Sequence, residues 1–169
     1  MAKMKELKDL YLDELQDLYS AESQLLEALP KVAKKATSKE LKTALEAHLE
    51  ETKTQQEKVA KLLESHDEKP GKETCLAMKG LIAETNKVMG EEMTPEVMDA
   101  AIIACAQRVE HYEISGYGTV RSFAESLGLK GDVKVITSIF EQEEAADQKL
   151  SSIAEGSVNE KAMAGSSSK

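Results

Sequence analysis

The sequence predicts an all-α protein: a four-helix bundle of two antiparallel hairpins, joined by a long crossover that carries a short fifth helix. Three observations predict it. Helix-forming Ala, Leu, Glu and Lys dominate, while glycine and proline number only 9 and 3. Four long segments repeat apolar residues at steps of three and four. The connections between those segments run short, long, short.

The first helix is expected from about Lys3 to Leu29, where Pro30 interrupts or kinks the hydrogen-bond ladder. Thr37 and Glu40 form a capping-box pattern that opens the second helix, which runs to about Ser65. His66–Lys72 contains Pro70-Gly71 and reads as a loop. A shorter helix follows from about Thr74 to Met89, and Gly90 stops it. Thr94 caps the third long helix, with Pro95 at its first position. It ends near Leu127, where Gly128 suits the left-handed position beyond a helix. Asp132 is expected to cap the fourth long helix, which ends before Gly156. These boundaries give one domain, residues 1–156, and a small polar tail, residues 157–169, expected to fray.

The short turns make each helix pair a hairpin. A helix of ~28 residues is about 42 Å long, so the long middle connection has room to run back along the bundle.

Composition excludes several classes of function. Charged residues make up 31% of the chain and hydrophobic ones 41%, which suits a soluble globular domain. The net charge of -9 repels phosphate backbones and anionic lipids, so neither nucleic acid nor membrane is an expected partner. No apolar run approaches the ~20 residues that span a bilayer. The opening MAKMKELKDL lacks the apolar core of a secretory signal, and a cytoplasmic location is expected. Cys75 and Cys105 are isolated and are expected to be reduced thiols.

The informative feature is acid where a core should be. On the first helix, Leu15, Leu18, Glu22, Leu25 and Leu29 follow one inward stripe. On the second, His48, Thr52 and Gln55 interrupt the apolar stripe, with Glu51 beside them. On the third, Glu113 lies on the stripe of Ile102, Val109, Tyr117 and Val120, and Glu110 is one turn before it. On the fourth, Val133, Ile136, Phe140, Glu144, Asp147 and Ser151 are read as the stripe. Glu22 and Glu51 lie about fifteen residues either side of the first turn, as do Glu113 and Glu144 of the second, so all reach mid-bundle height. Burying one unpaired carboxylate costs several kcal/mol, so a cluster of them requires positive charge. Positive side chains are nearly absent from these stripes, with Arg108 and Lys149 off the inward face, whereas divalent cations with oxygen ligands would supply the charge. Glu27, Glu46, Glu50 and Glu143 are read as solvated, and Glu141 as ambiguous. Tyr19 and Tyr117 are placed to support the ligand carboxylates, or simply to pack. His66, in a loop, is assigned no role, and His111 an outer position at most.

At these residues the chain resembles the ferritin-like superfamily, and more closely the YciE/YciF family of bacterial stress proteins (DUF892). The segments that carry the resemblance are LYSAESQLLEALPK from Leu18, AHLEETKTQQEKV from Ala47, VEHYEISGYGTVRSFAESLG from Val109 and EQEEAADQKLSSIA from Glu141. It implies a ferritin-like bundle with a two-metal carboxylate site. Ferritin-like sites usually take a Glu, an E-x-x-H, a Glu and a second E-x-x-H from successive helices. Carried over, Glu22 is the first ligand, Glu51 a bridging ligand and His48 a terminal one, although His48-x-x-Glu51 reverses the usual order. Glu110-x-x-Glu113 is similar to paired glutamates of rubrerythrin-type sites, and Glu144-x-x-Asp147 has Asp where the superfamily has His. So carboxylate-rich a set suits two iron ions, with manganese the alternative.

The resemblance implies iron oxidation or peroxide handling during stress, with dioxygen or peroxide as the small-molecule partner, and a homodimer. The alternative expectation is a non-catalytic stress protein whose metal is structural and which acts by binding a partner.

Overall fold

A computed structural model describes residues 4–164. Its helices are α1 (Leu7–Lys35), α2 (Lys39–Ser65), α3 (Leu76–Met89), α4 (Pro95–Ser126), α5 (Lys130–Ile153) and α6 (Asn159–Ala164). One π-helical turn, Ala154–Val158, joins α5 to α6. The described residues contain no strand. α1 pairs with α2 and α4 with α5, while α1–α4 and α2–α5 contacts close the ring. α3 lies in the long connection and packs on α1 and α4. This is the ferritin-like four-helix bundle, with its crossover.

One expected end falls elsewhere. α1 runs through Pro30 to Lys35. Proline forfeits one backbone hydrogen bond, but Leu29, Val32, Ala33 and Ala36 continue the buried stripe on both sides of it. α5 ends at Ile153, before Gly156 as expected, but the chain stays helical beyond it: the π turn buries Val158 and leads into α6. Residues 157–164 of the expected tail are therefore helical, and 165–169 lie outside the described residues.

Two caps also differ in detail. Ser38, not Thr37, caps α2, its hydroxyl accepting from Leu41 N. Thr37 is instead held by Asp99, which accepts from Thr37 N, Thr37 Oγ1 and Ser38 N at 2.6–2.8 Å. Leu129 occupies the cap position of α5, and Asp132 lies in its first turn. The Asp132 carboxylate is engaged elsewhere: Tyr11 Oη donates to it at 2.8 Å and His66 Nε2 lies 2.7 Å away. His66 thus fastens the end of α2 to α5. Thr94 caps α4 as expected, and Gly128 takes φ +72° beyond its end. That left-handed residue lets Leu129 N reach Ala124 O, which closes the helix.

The interior is divided along its length. One apolar cluster gathers Leu25, Leu29, Leu41, Leu45, Ile102 and Leu150. The other gathers Tyr11, Leu15, Leu62, Val120, Ile136 and Ile139. Between them lies a buried polar layer.

Candidate metal centre

The layer is built from Glu22 of α1, His48, Thr52 and Gln55 of α2, Glu110 and Glu113 of α4, and Glu143 of α5, all buried. Each occupies a position where helix periodicity would otherwise place a core hydrophobe. His48, Glu110, Glu113 and Glu143 each offer one ligand atom, and these atoms lie within 4.8 Å of one another. Opposite donors on a divalent ion of ~2.1 Å bond length are about 4.2 Å apart, so the group is close to the size of one coordination shell.

Tyr117 Oη donates to Glu22 Oε1, and Gln55 Nε2 donates to Glu143 Oε1. His48 Nε2 lies 3.5 Å from Glu110 Oε1 and 4.0 Å from Glu143 Oε2. His48 Nδ1 lies 3.7 Å from Glu51 Oε2. Among the described residues, Glu22 Oε2, Glu110 Oε2, both Glu113 oxygens and Glu143 Oε2 have no hydrogen-bond partner. Unpartnered buried oxygens are costly and rare, and here they converge.

Burial is the main force on their protonation. It pushes Glu22 up to about 8, helped by Glu143 and opposed by Tyr117 and His48. Burial also raises Glu113 well above the carboxylate range, with Glu22, Glu143 and Glu110 adding to it. Glu110 rises for the same reason despite His48, and Glu143 rises too, although His48, Glu110 and Gln55 restrain it. Burial opposes a charged His48, yet Glu110, Glu51, Glu143 and Glu22 together hold it up at about 10. Without cations, burial thus favours the protonated forms of Glu22, Glu110 and Glu113, and the negative charge left in the layer is what holds His48 as an imidazolium. Four ionised carboxylates would carry four negative charges, which two divalent cations cancel. The donor set, carboxylate oxygen with one imidazole, fits iron or manganese.

Of the residues singled out from the sequence, Glu22, His48, Glu110 and Glu113 come together in this layer. Glu51 stands at its edge with 46% of its side chain exposed. Glu144 is exposed, and the acid that α5 turns inward is Glu143, which the sequence reading left in solvent. The buried residues of α5 are Ile136, Ile139, Glu143, Leu150 and Ile153, a three-four alternation. Reading 136, 140, 144 takes two steps of four, which rotates about 80° off the face, whereas a three-four pair drifts only about 20°. Asp147 lies to the side of the cluster, where Gln107 Nε2 donates to it and His111 Nε2 is 3.3 Å away. His111 itself is exposed.

Tyr117 does support a layer carboxylate, whereas Tyr19 is only partly buried and packs with the second apolar cluster. A further cluster went unread. Tyr112 Oη donates to Asp17, and Cys75 Sγ is 3.0 Å from the same phenol oxygen. Its members lie on α1, α4 and the cap of α3, so no local spacing joins them. Burial pushes the Cys75 thiol up, and both cysteines are free and buried.

Comparison with known proteins agrees with this architecture. The model of a domain of unknown function, DUF892, matches residues 6–163. Protein YciF of Escherichia coli (strain K12) is 44% identical over 160 residues, covering 94% of this chain and 96% of its own. The crystal structure of the Escherichia coli stress protein YciF superposes with a TM-score of 0.88, covering 92% of this chain and 99% of that one. YcfI from Rhodopseudomonas palustris, 41% identical, gives 0.86 with 89% and 96% covered. A Xanthomonas campestris protein at 21% identity shares the fold, with a TM-score of 0.71 and 89% and 91% covered. No helix among the described residues is long and apolar enough to cross a membrane.

Proposed function

We propose, from the premise that this chain belongs to the DUF892 family, that it is a stress protein working through two divalent cations, iron before manganese, in its mid-bundle acid layer. The single observation that carries the reading is the convergence of unpartnered oxygens from Glu22, Glu110, Glu113 and Glu143 beside His48, between two apolar clusters. Such a pair of iron ions, when bound, supplies two electrons to dioxygen or peroxide.

The chain's own part follows from its geometry. Glu110, Glu113 and Glu143 bind with His48, and Glu22 extends the set towards α1. Tyr117 and Gln55 fix one oxygen each of Glu22 and Glu143, which leaves the other oxygen to face inward. The apolar clusters above and below exclude bulk water and strengthen each charge interaction. Metal uptake must displace the protons these acids hold, together with one from His48.

The test is anaerobic loading with ferrous iron, followed by oxygen or peroxide. The reading expects oxidant-dependent absorbance and turnover above that of free iron. A rate no better than free iron would reject the redox role.

A second reading has its own support. The layer draws on all four long helices, so its metal would staple the bundle whether or not it reacts. Under that reading the loaded protein is much more stable than the metal-free one but shows no turnover, and the stress role lies in binding a partner.

A further inference from the structure

We infer that the groove between α2 and α5 binds a neutral amphiphile, an apolar body carrying one hydroxyl head, beside the proposed metal centre. The inference builds on the reading above, since it names the class of molecule admitted to that same site.

The groove encloses about 910 Å³. A hydrated ion or a peroxide needs far less, and pockets for organic ligands run from about 300 to 1,000 Å³. On α2 it extends from Lys39 to Glu51, a run of about 18 Å at the helical rise. Ala44 and Ala47 on α2 and Ala145 and Ala146 on α5 supply small apolar surface along it, among polar side chains such as Thr43 and Gln142. Only at His48 and Glu110 does it meet the polar layer.

Those two residues supply the polar partner. His48 is 7% exposed, and neither ring nitrogen has a hydrogen-bond partner among the described residues. Its Nε2 faces Glu110 and Glu143, on the side of the metal set. Its Nδ1 faces Glu51 Oε2 at 3.7 Å, too far for a direct hydrogen bond and suited to a bridging oxygen. A hydroxyl completes this gap, because it accepts from Nδ1–H and donates to the Glu51 carboxylate. A carboxylate head has no proton to donate and meets Glu51 with like charge. An ammonium head has no lone pair for Nδ1–H.

The rim argues the same way. Lys149 is paired with Glu40 at 3.1 Å, which leaves Glu51 and Glu141 against Lys39 and His48, so no net positive charge at the rim draws an anionic ligand.

The experiment is calorimetric titration of the whole protein, metal-free and metal-loaded, with 4-hexylphenol, 4-hexylanisole and decanoate. The phenol is expected to bind about tenfold or more tighter than the anisole, which accepts but cannot donate. In Glu51→Leu that gap should close. A double variant, Ala47→Leu with Ala146→Leu, should lose all binding while keeping wild-type helicity and cobalt(II) uptake, since leucine is a good helix former. That preserved metal uptake separates failure of the groove from failure of the metal centre. Equal affinity for phenol and anisole, a preference for decanoate, or no binding of any probe would overturn the inference. So would a wild-type dimer that the double variant converts to monomer, because the face would then be an interface between copies of this chain.

Discussion

Tyr117 on α4 donates its phenolic proton to Glu22 on α1, and both side chains are fully buried. The phenol is the partner that fixes one Glu22 oxygen and leaves Oε2 free. Tyr117→Phe keeps the ring packing and removes only this bond. We expect a loss of about 1–2 kcal/mol in metal-free stability, from one orphaned buried oxygen. Metal affinity should fall by about tenfold or more, the usual consequence of losing a group that orients a ligand. Chemical denaturation and metal titration check the two effects separately.

The pH dependence of the metal-free protein has a definite sign. Glu22 rises from 4.5 to about 8 on folding, and Glu110, Glu113 and Glu143 also rise. An acid raised in the folded state stabilises fully below its unfolded pKa, and that stability is lost as pH climbs through the folded pKa. His48, held up at about 10, likewise contributes stability that is lost on the alkaline side. Glu51 is lowered by His48 and works in the opposite sense, but it is half-exposed and weaker. The melting temperature of the metal-free protein should therefore fall from pH 5 to pH 8. Metal affinity should rise over the same window as protons become easier to displace. Thermal melts with and without metal, across that range, measure both trends.

Asp99 supports the α1–α2 turn from α4, accepting three hydrogen bonds while only 4% exposed. Asp99→Ala leaves Thr37 and Ser38 donors without this partner and should cost about 2–4 kcal/mol. Urea denaturation at fixed metal content is the check. The metal stoichiometry should not change, because the turn lies beyond one end of the acid layer.

Much of this arrangement could be read from local pattern, and the parts that could not have identifiable causes. Glu22 and Glu113 interrupt apolar stripes that step regularly by three and four, so their inward direction is legible. α5 offers an acid at both 143 and 144, and an apolar Phe140 invited the wrong step. In the structure Phe140 lies under the Arg121 guanidinium, 4.3 Å from its ring centroid, on the flank of the bundle. Thr37 and Ser38 both suit a cap, and only Asp99, more than sixty residues away in sequence, decides between them. Pro30 signals a break that burial of its neighbours overrides. His66 draws its role from Asp132 and Tyr11, whose nearness is a product of the fold.

The register of α5 yields a paired prediction. Glu143→Gln should lower metal stoichiometry or weaken binding by about tenfold or more, since it removes a charged ligand from the layer. Glu144→Gln, at an exposed position one residue on, should leave both unchanged and alter stability by less than about 0.5 kcal/mol. Equilibrium metal titration of the two variants in parallel distinguishes the residues.

Two glycines test packing alone. A Cβ at Gly80 meets nothing within 4 Å, so Gly80→Ala should stabilise α3 by about 0.5–1 kcal/mol through helix propensity. A Cβ at Gly116 would come within 2.7 Å of Leu18 Cδ2, a buried side chain beside the layer. Gly116→Ala should show no such gain and a net loss of about 1 kcal/mol, because overpacking offsets the propensity. Denaturation midpoints compare them.

Cation neutralisation is what allows the acid layer to lie charged inside the bundle. Anaerobic titration of metal-free protein with ferrous iron at neutral pH, followed by thermal melts at each ratio, measures it. Two equivalents should bind per chain, with proton release and a melting temperature that climbs until the second is taken up. A protein that takes up no iron and melts at the same temperature throughout, with Glu22, Glu113 and Glu143 still buried, would contradict it.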